Sequence, residues 1–410
     1  MTPTKPTLLI VGASVAGAKA AEGARAAGFD GRVVLVGHEQ QLPYERPPLS
    51  KAVLRGEAPP ESTRVHDEDF YETHAIELLA GRTVLSLDLD ARRARLDGDD
   101  DVPFTTAVLA TGAAPRPLDV PGADLDGVHF LREVGDSVRL RDAIKDAARV
   151  AVVGTGWIGS EVAASARQMG ADVVLIGREP APLQRVLGAE MAEVFRRLHA
   201  ENGVALRLQR QVVELRGDGR VEQVVLDDAD VEAADLVVVG VGVAPRVELA
   251  AAAGLKIEDG VVVDEHLRSN VPGVYAAGDV ASAWHPHYGH HLRVEHWSNA
   301  LHQGLTAGGN AAGGQQPYTR LPYFFTDQYD LGMEYVGYND PGDSVVVRGD
   351  VAEREFVAFW RRDGIVTGAM NVNVWDVVDD LRAVVACRRA LEPARLADPA
   401  VPLGDLVPQT

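Results

Sequence analysis

An α/β fold in which one strand–helix–strand unit is used twice, the second copy inserted into the first, with a smaller α+β domain closing the chain, is what this 410-residue sequence predicts. Three observations predict it. An apolar run near the start ends in a glycine-rich turn, the same pattern returns near residue 150, and aromatic and β-branched alternation takes over after residue 320. A chain of this length exceeds the roughly 250–300 residues at which single cores stop growing, so more than one domain is expected.

Leu8-Leu9-Ile10-Val11 is a continuous apolar run closed by Gly12, the signature of a parallel strand buried on both faces. Ala16 to Ala27 follows with helical composition, and Val33 to Val36 is the next strand. The second copy runs through Val150 to Val153, Gly154, an Ala-rich helix from Ile158 to Met169, and Val173 to Ile176. Ala107 to Gly112 and Val274 to Asp279 read as returns to the first domain, which makes the second domain an insertion. The expected boundaries are 1–115 with 246–320 for the outer domain, 116–245 for the inserted one and 321–410 for the α+β domain. In the last, Glu355 to Trp360 reads as antiparallel strand and Val377 to Arg389 as helix, while Gly308 to Gln316 reads as a loop.

Gly12-Ala13-Ser14-Val15-Ala16-Gly17 is a dinucleotide fingerprint with Ser14 in place of its middle glycine, set between a strand and a helix as the chemistry requires. Small residues let the backbone approach a pyrophosphate, and the helix N-terminus offers that anion unpaired N–H groups. Glu39 follows roughly 20 residues on, where a carboxylate takes the hydroxyls of an adenosine ribose. Gly154-Thr155-Gly156-Trp157-Ile158-Gly159 is an unaltered copy, so the sequence predicts two nested Rossmann-like dinucleotide-binding domains. After the second copy's second strand the acidic position reads as Gly177, followed by Arg178 and Glu179. An arginine without the acid favours a 2′-phosphate, whereas Glu179 favours a plain ribose, so NADH and NADPH both stay open. Ala110-Thr111-Gly112 and Gly278-Asp279 are further small-residue turns, Asp279 being placed to accept from a ribityl hydroxyl with a helix N-terminus following it.

Composition bounds the chemistry. A formal charge of −20 disfavours nucleic acid or an anionic membrane as partner. No segment has the ~20 apolar residues of a membrane span, and a cytoplasmic protein is the expectation. Cys387 is the only cysteine, which excludes a redox-active disulfide, a Cys-ligated iron–sulfur cluster and a Cys-type zinc site within the chain. His285, His287, His290 and His291 read as a polar loop rather than metal ligands, and Arg361-Arg362 and Arg388-Arg389 are basic pairs on an acidic protein.

Pro43 to Lys51, Gly154 to Glu161, Gly240 to Pro245, Arg293 to Trp297 and Pro322 to Gln328 together resemble the FAD-dependent ferredoxin reductases of bacterial oxygenase systems, over essentially the whole chain. The resemblance implies a glutathione-reductase-like fold, with FAD and NADH, or possible NADPH, as cofactors. NADH stands first because most members of that family use it. It implies FAD contacts at Ala16, Glu39, Arg46, Lys51, Val84, Arg132, Asp279 and Trp297, with Glu295 and His296 beside the last, and coenzyme contacts that include Gly242. It implies that Lys51 and Glu161 pair beside the flavin N5, the lysine stabilising negative charge on the reduced ring. Phe325 stands where many relatives have tryptophan, so an aromatic lid there is smaller. The implied reaction passes a hydride from NAD(P)H to FAD, with the atoms roughly 3–3.5 Å apart, and then single electrons to a [2Fe–2S] ferredoxin serving a cytochrome P450 or dioxygenase. The alternatives are an NADH oxidase or other flavoprotein reductase, and a redox-sensing protein resembling apoptosis-inducing factor.

Overall fold

The structure, a computed structural model, describes residues 5–407. The terminal residues 1–4 and 408–410, assigned above to the outer and C-terminal domains, lie outside the described residues. The chain divides into two compact units, one of residues 1–45, 61–114 and 244–322 and the other of 46–60, 115–243 and 323–410.

In the first unit the strands Val274–Ala276, Thr106–Leu109, Thr7–Val11, Arg32–Gly37 and Ile76–Ala80 lie side by side in that order, all parallel. Their continuous apolar sequences are explained by burial on both faces, since Leu8, Leu9, Ile10, Val33, Val34 and Leu35 are wholly inaccessible. The Val15–Ala26 helix packs against the Trp297–Ala311 helix. Glycines make that contact close. A Cβ on Gly304 would sit 2.4 Å from the Ala16 carbonyl oxygen, and one on Gly308 1.9 Å from that of Ala20. Gly308 is therefore helical, and the loop expected from Gly308 begins only after Ala311. The composition that suggests a loop serves interhelix approach instead.

The second unit holds an equivalent parallel sheet, Ala205–Leu208, Asp172–Gly177, Arg149–Val153, Leu236–Val239 and Val128–Phe130. It also holds the antiparallel sheet Tyr323–Gln328, Leu331–Gly337, Ile365–Val372, Glu355–Arg362 and Ser344–Asp350, backed by the Val378–Ala386 helix. The Gln184–Glu201 helix joins these parts, setting Leu187, Met191, Phe195 and Leu198 into one core with Phe324, Tyr335, Phe356 and Trp360. The fold is two Rossmann-like α/β domains, one nested in the other, with a C-terminal α+β domain. Among the described residues no helix is long and apolar enough to cross a membrane.

Candidate active site

The first fingerprint forms the turn between the Thr7–Val11 strand and the Val15–Ala26 helix. Gly12 has φ +110°, and a Cβ there would lie 2.1 Å from the Ala110 carbonyl oxygen; one on Gly17 would lie 1.8 Å from that of Gly12. The turn therefore tolerates no side chain at either position, and Ser14 supplies the helix N-cap between them. Ala110, Thr111 and Gly112 run past the same turn, tied down by the Thr111 hydroxyl on the Arg246 carbonyl at 2.7 Å. Gly278 also reaches it, since a Cβ there would come within 3.0 Å of Ala16 Cβ, and its N–H is held by Gln303 Oε1 at 2.9 Å. Asp279 is thus beside the fingerprint. The helix expected directly after it is a single 3-10 turn, Gly278–Val280; the long helix begins at Trp297, with His296 as N-cap. Burial pushes the His296 imidazole down to about 4, with Asp279 opposing. Glu295 is claimed by Arg293. Glu39 accepts from the Tyr44 hydroxyl at 2.5 Å, and Val84 is a core residue of the same unit. A cradle that one Cβ would fill, at a helix N-terminus with no acidic residue in its first turn, fits a dinucleotide pyrophosphate.

The second fingerprint repeats this geometry. A Cβ on Gly154 (φ +113°) would meet the Gly240 carbonyl oxygen at 2.2 Å, and one on Gly159 that of Gly154 at 1.9 Å. Trp157 is wedged against Phe324 with ring centroids 4.4 Å apart, whereas Gly156 and Ile158 face solvent. Gly242, at φ +103°, lies in the loop after the Leu236–Val239 strand.

Strand register corrects the reading of the acidic position. Val11 pairs with Val36, three residues before Glu39, and Val153 pairs with Ile176, three residues before Glu179. The counterpart of Gly177 is Gly37, not Glu39. A Cβ on Gly37 would strike Ala13, and one on Gly177 would strike Thr155, both at 2.4 Å. Glu179 therefore occupies the position equivalent to Glu39. Its carboxylate is 3.2 Å from the exposed Arg185, and Arg178 is itself exposed.

Lys51 and Glu161 meet within the second unit at 2.7 Å, 8% and 4% exposed. The Pro47–Ser50 turn, stiffened by two prolines, presents the lysine. Ser137 donates to the Leu49 carbonyl at 2.7 Å and Ser165 to that of Ser50 at 2.6 Å, fixing the turn to two helices. Lys51 also donates to the Pro47 carbonyl at 3.2 Å and lies 5.6 Å from the Phe325 ring centroid. Two charges taken out of water need further hydrogen bonds, and Glu161 has them. Thr326 donates to its Oε1 at 2.6 Å and Ser50 to its Oε2. Neither hydroxyl was singled out from sequence, although both adjoin residues that were. Arg46 donates to the Arg132 carbonyl, which joins two further expected contacts in the same unit.

The four histidines lie on a strand hairpin rather than a loop, His285 ending the Ala281–His285 strand and His290 and His291 opening the His290–Leu292 strand paired with it. Among the described residues they form no ligand cluster, and His285 Nε2 is 3.1 Å from the Arg320 carbonyl. Of the basic pairs, Arg361 donates to the Leu391 carbonyl and Arg362 bonds Asp343, both within the C-terminal domain, while Arg388 and Arg389 are exposed.

Comparison with known proteins adds names to this geometry. Residues 6–304 match the pyridine nucleotide-disulphide oxidoreductase family, and residues 323–407 match a reductase C-terminal family. The chain is 36% identical to rhodocoxin reductase of Rhodococcus erythropolis over 96% of its own length and 92% of the relative's. It is 38% identical to the ferredoxin–NAD(+) reductase component of an anthranilate 1,2-dioxygenase system of Burkholderia cepacia, over 96% and 98%. The reductase in a crystal structure of a covalent putidaredoxin reductase–putidaredoxin complex superimposes with a TM-score of 0.94 at 32% identity, covering 98% of each chain.

Proposed function

The chain belongs to the pyridine nucleotide-disulphide oxidoreductase family, and from that premise we propose that it is the ferredoxin reductase of an oxygenase system, working with FAD and NADH in the cytoplasm. The single observation that carries the mechanism is the buried Lys51–Glu161 pair. With one cysteine in the chain, the disulphide chemistry in the family's name has no internal partner here, so the electrons go elsewhere. The relatives' names supply the acceptor, a small iron–sulfur protein of the ferredoxin type.

We assign FAD to the outer Rossmann-like domain and the nicotinamide coenzyme to the inserted one. Gly12, Ser14 and Gly17 admit the FAD pyrophosphate, Glu39 takes its ribose hydroxyls, and Ala16, Val84, Ala110 to Gly112, Arg132, Gly278-Asp279 and Glu295 to Trp297 complete the contacts with Arg46. Gly154 to Gly159 and Gly242 seat the coenzyme, and Glu179 favours NADH because a carboxylate accepts from two ribose hydroxyls and repels a 2′-phosphate. Bound FAD supplies hydride acceptance and one-electron donation. Lys51 holds a positive charge where negative charge develops, fixed there by Glu161, and Phe325 covers the ammonium. The hydride transfer requires no general base.

The test is steady-state reduction of a [2Fe–2S] ferredoxin, followed through cytochrome c, with NADH and NADPH compared. Rapid ferredoxin-dependent turnover with NADH preferred is expected. Oxygen consumption at the same rate with and without ferredoxin would replace this reading with an oxidase.

A further inference from the structure

Glu161 is held by more than its lysine. Its Oε1 receives Lys51 at 2.7 Å and the Thr326 hydroxyl at 2.6 Å, and its Oε2 receives Ser50. Thr326 is bonded in turn by Gln328 Nε2 at 3.3 Å. Thr326 and Gln328 are two residues apart on the Tyr323–Gln328 strand, so both point to one face, and that face is buried while Phe325 points to the other. Beyond Gln328 lies His199, fully buried on the Gln184–Glu201 helix and within reach of the amide. An apolar strand face would be cheaper to bury than a hydroxyl and an amide, which lose their hydration on burial. The C-terminal strand instead carries two polar groups whose donors both run toward one carboxylate, each polarised by the one behind it.

We propose that Thr326, backed by Gln328, is a positioning residue of the reaction: its hydroxyl locks the Glu161 carboxylate in the orientation that places the Lys51 charge. This rests on the reading above that Lys51 acts on the bound flavin. Without the hydroxyl, Oε1 keeps only the lysine, the carboxylate turns toward it, and more of the ammonium charge is neutralised. Less positive charge then remains for the reduced cofactor, whose midpoint potential falls.

The flavin-loaded Thr326→Val, Thr326→Ser and Glu161→Gln proteins test this, compared with wild type by midpoint potential, flavin content and the rate of flavin reduction by NADH. Loss of one hydrogen bond to a charged group corresponds to about tenfold. Thr326→Val is expected to have a more negative potential and to be reduced about tenfold more slowly, with the KM for NADH unchanged, and Thr326→Ser to restore both. A wild-type potential and rate in Thr326→Val, while Glu161→Gln shifts them, overturns the role of Thr326 alone. Wild-type values in Glu161→Gln overturn the reading of the ion pair on which it rests. Should Thr326→Val not accumulate with flavin, Gln328→Met decides: the expected change is about two- to threefold in the same direction, and none overturns the proposal.

Discussion

The two Rossmann-like domains match in strand register and glycine geometry at their fingerprint turns yet differ in what covers those turns. Gly12 and Gly154 have φ +110° and +113°, and each would drive a Cβ into a carbonyl oxygen just over 2 Å away. The matching residues that follow diverge. Ala16 is 7% exposed, covered by Gly278 and the Trp297–Ala311 helix, whereas its counterpart Ile158 is 43% exposed. Glu39 is held by the half-buried network of Tyr44, while Glu179 has a partner, Arg185, whose side chain is 82% exposed. One cradle is enclosed and the other open, the difference expected between a resident cofactor and a coenzyme that leaves after each turnover.

The largest effect that tests this contrast comes from the same lesion made twice. A Cβ at φ near +110° costs about 1–3 kcal/mol in backbone strain, and displacing the facing carbonyl adds about as much, roughly a thousandfold together. Gly12→Ala is expected to purify without flavin. Gly154→Ala is expected to keep its flavin, with NADH binding weakened by that factor in a titration of the flavin spectrum. Loss of flavin from Gly154→Ala alone would reverse the assignment of the two units.

Acid separates the units next. Each buries a histidine pushed down to about 4, but His296 has the Asp279 carboxylate to offset its burial, and His199 has only the Gln328 amide. His199 is neutral when folded at pH 7. Because its folded value lies below the unfolded one, its stability contribution is complete above about 6.5 and is lost as pH falls toward 4, roughly 3 kcal/mol in all. Urea titrations at pH 7 and pH 4 should therefore differ by about that much less in His199→Leu than in wild type. Equal pH dependence in the two proteins would mean that His199 is protonated in the fold.

What the sequence made legible was local. The glycines announce themselves because a strand, a turn and a helix follow one another, and the apolar runs at Leu8 and Val150 leave only a doubly covered strand as their explanation. The equivalence of Glu179 with Glu39 was hidden because counting from a strand end misses by two where register decides, and register is a pairing between strands. Ser50 and Thr326 were invisible for a stronger reason: their partner Glu161 is 111 and 165 residues away, and no periodicity reports a contact of that span. The helical Gly308 shows the converse, a loop-like composition selected by a neighbouring helix.

The two carboxylates proposed to face a ribose offer a smaller effect. A hydrogen bond to a charged group contributes about 1.5–3 kcal/mol, so Glu179→Ala should raise the KM for NADH at least about tenfold while sparing flavin content, and Glu39→Ala should do the reverse. An unchanged KM in Glu179→Ala, with NADPH turnover lost in Arg178→Ala, would make the inserted domain an NADPH site.

The smallest effect concerns the middle glycine position of the fingerprint, Ser14 against Gly156. Gly156 has an ordinary φ of −78° and a Cβ there would meet nothing within 4 Å, so the fold itself does not require glycine. The first unit already works with a side chain at this place. Gly156→Ser should accordingly leave thermal unfolding unchanged and the KM for NADH within about twofold, since it removes no hydrogen bond and fills no occupied space. A KM rise of tenfold or more with unchanged unfolding would show that the coenzyme approaches the open cradle more closely than FAD approaches the enclosed one, and that the second glycine is kept for the ligand rather than for the chain.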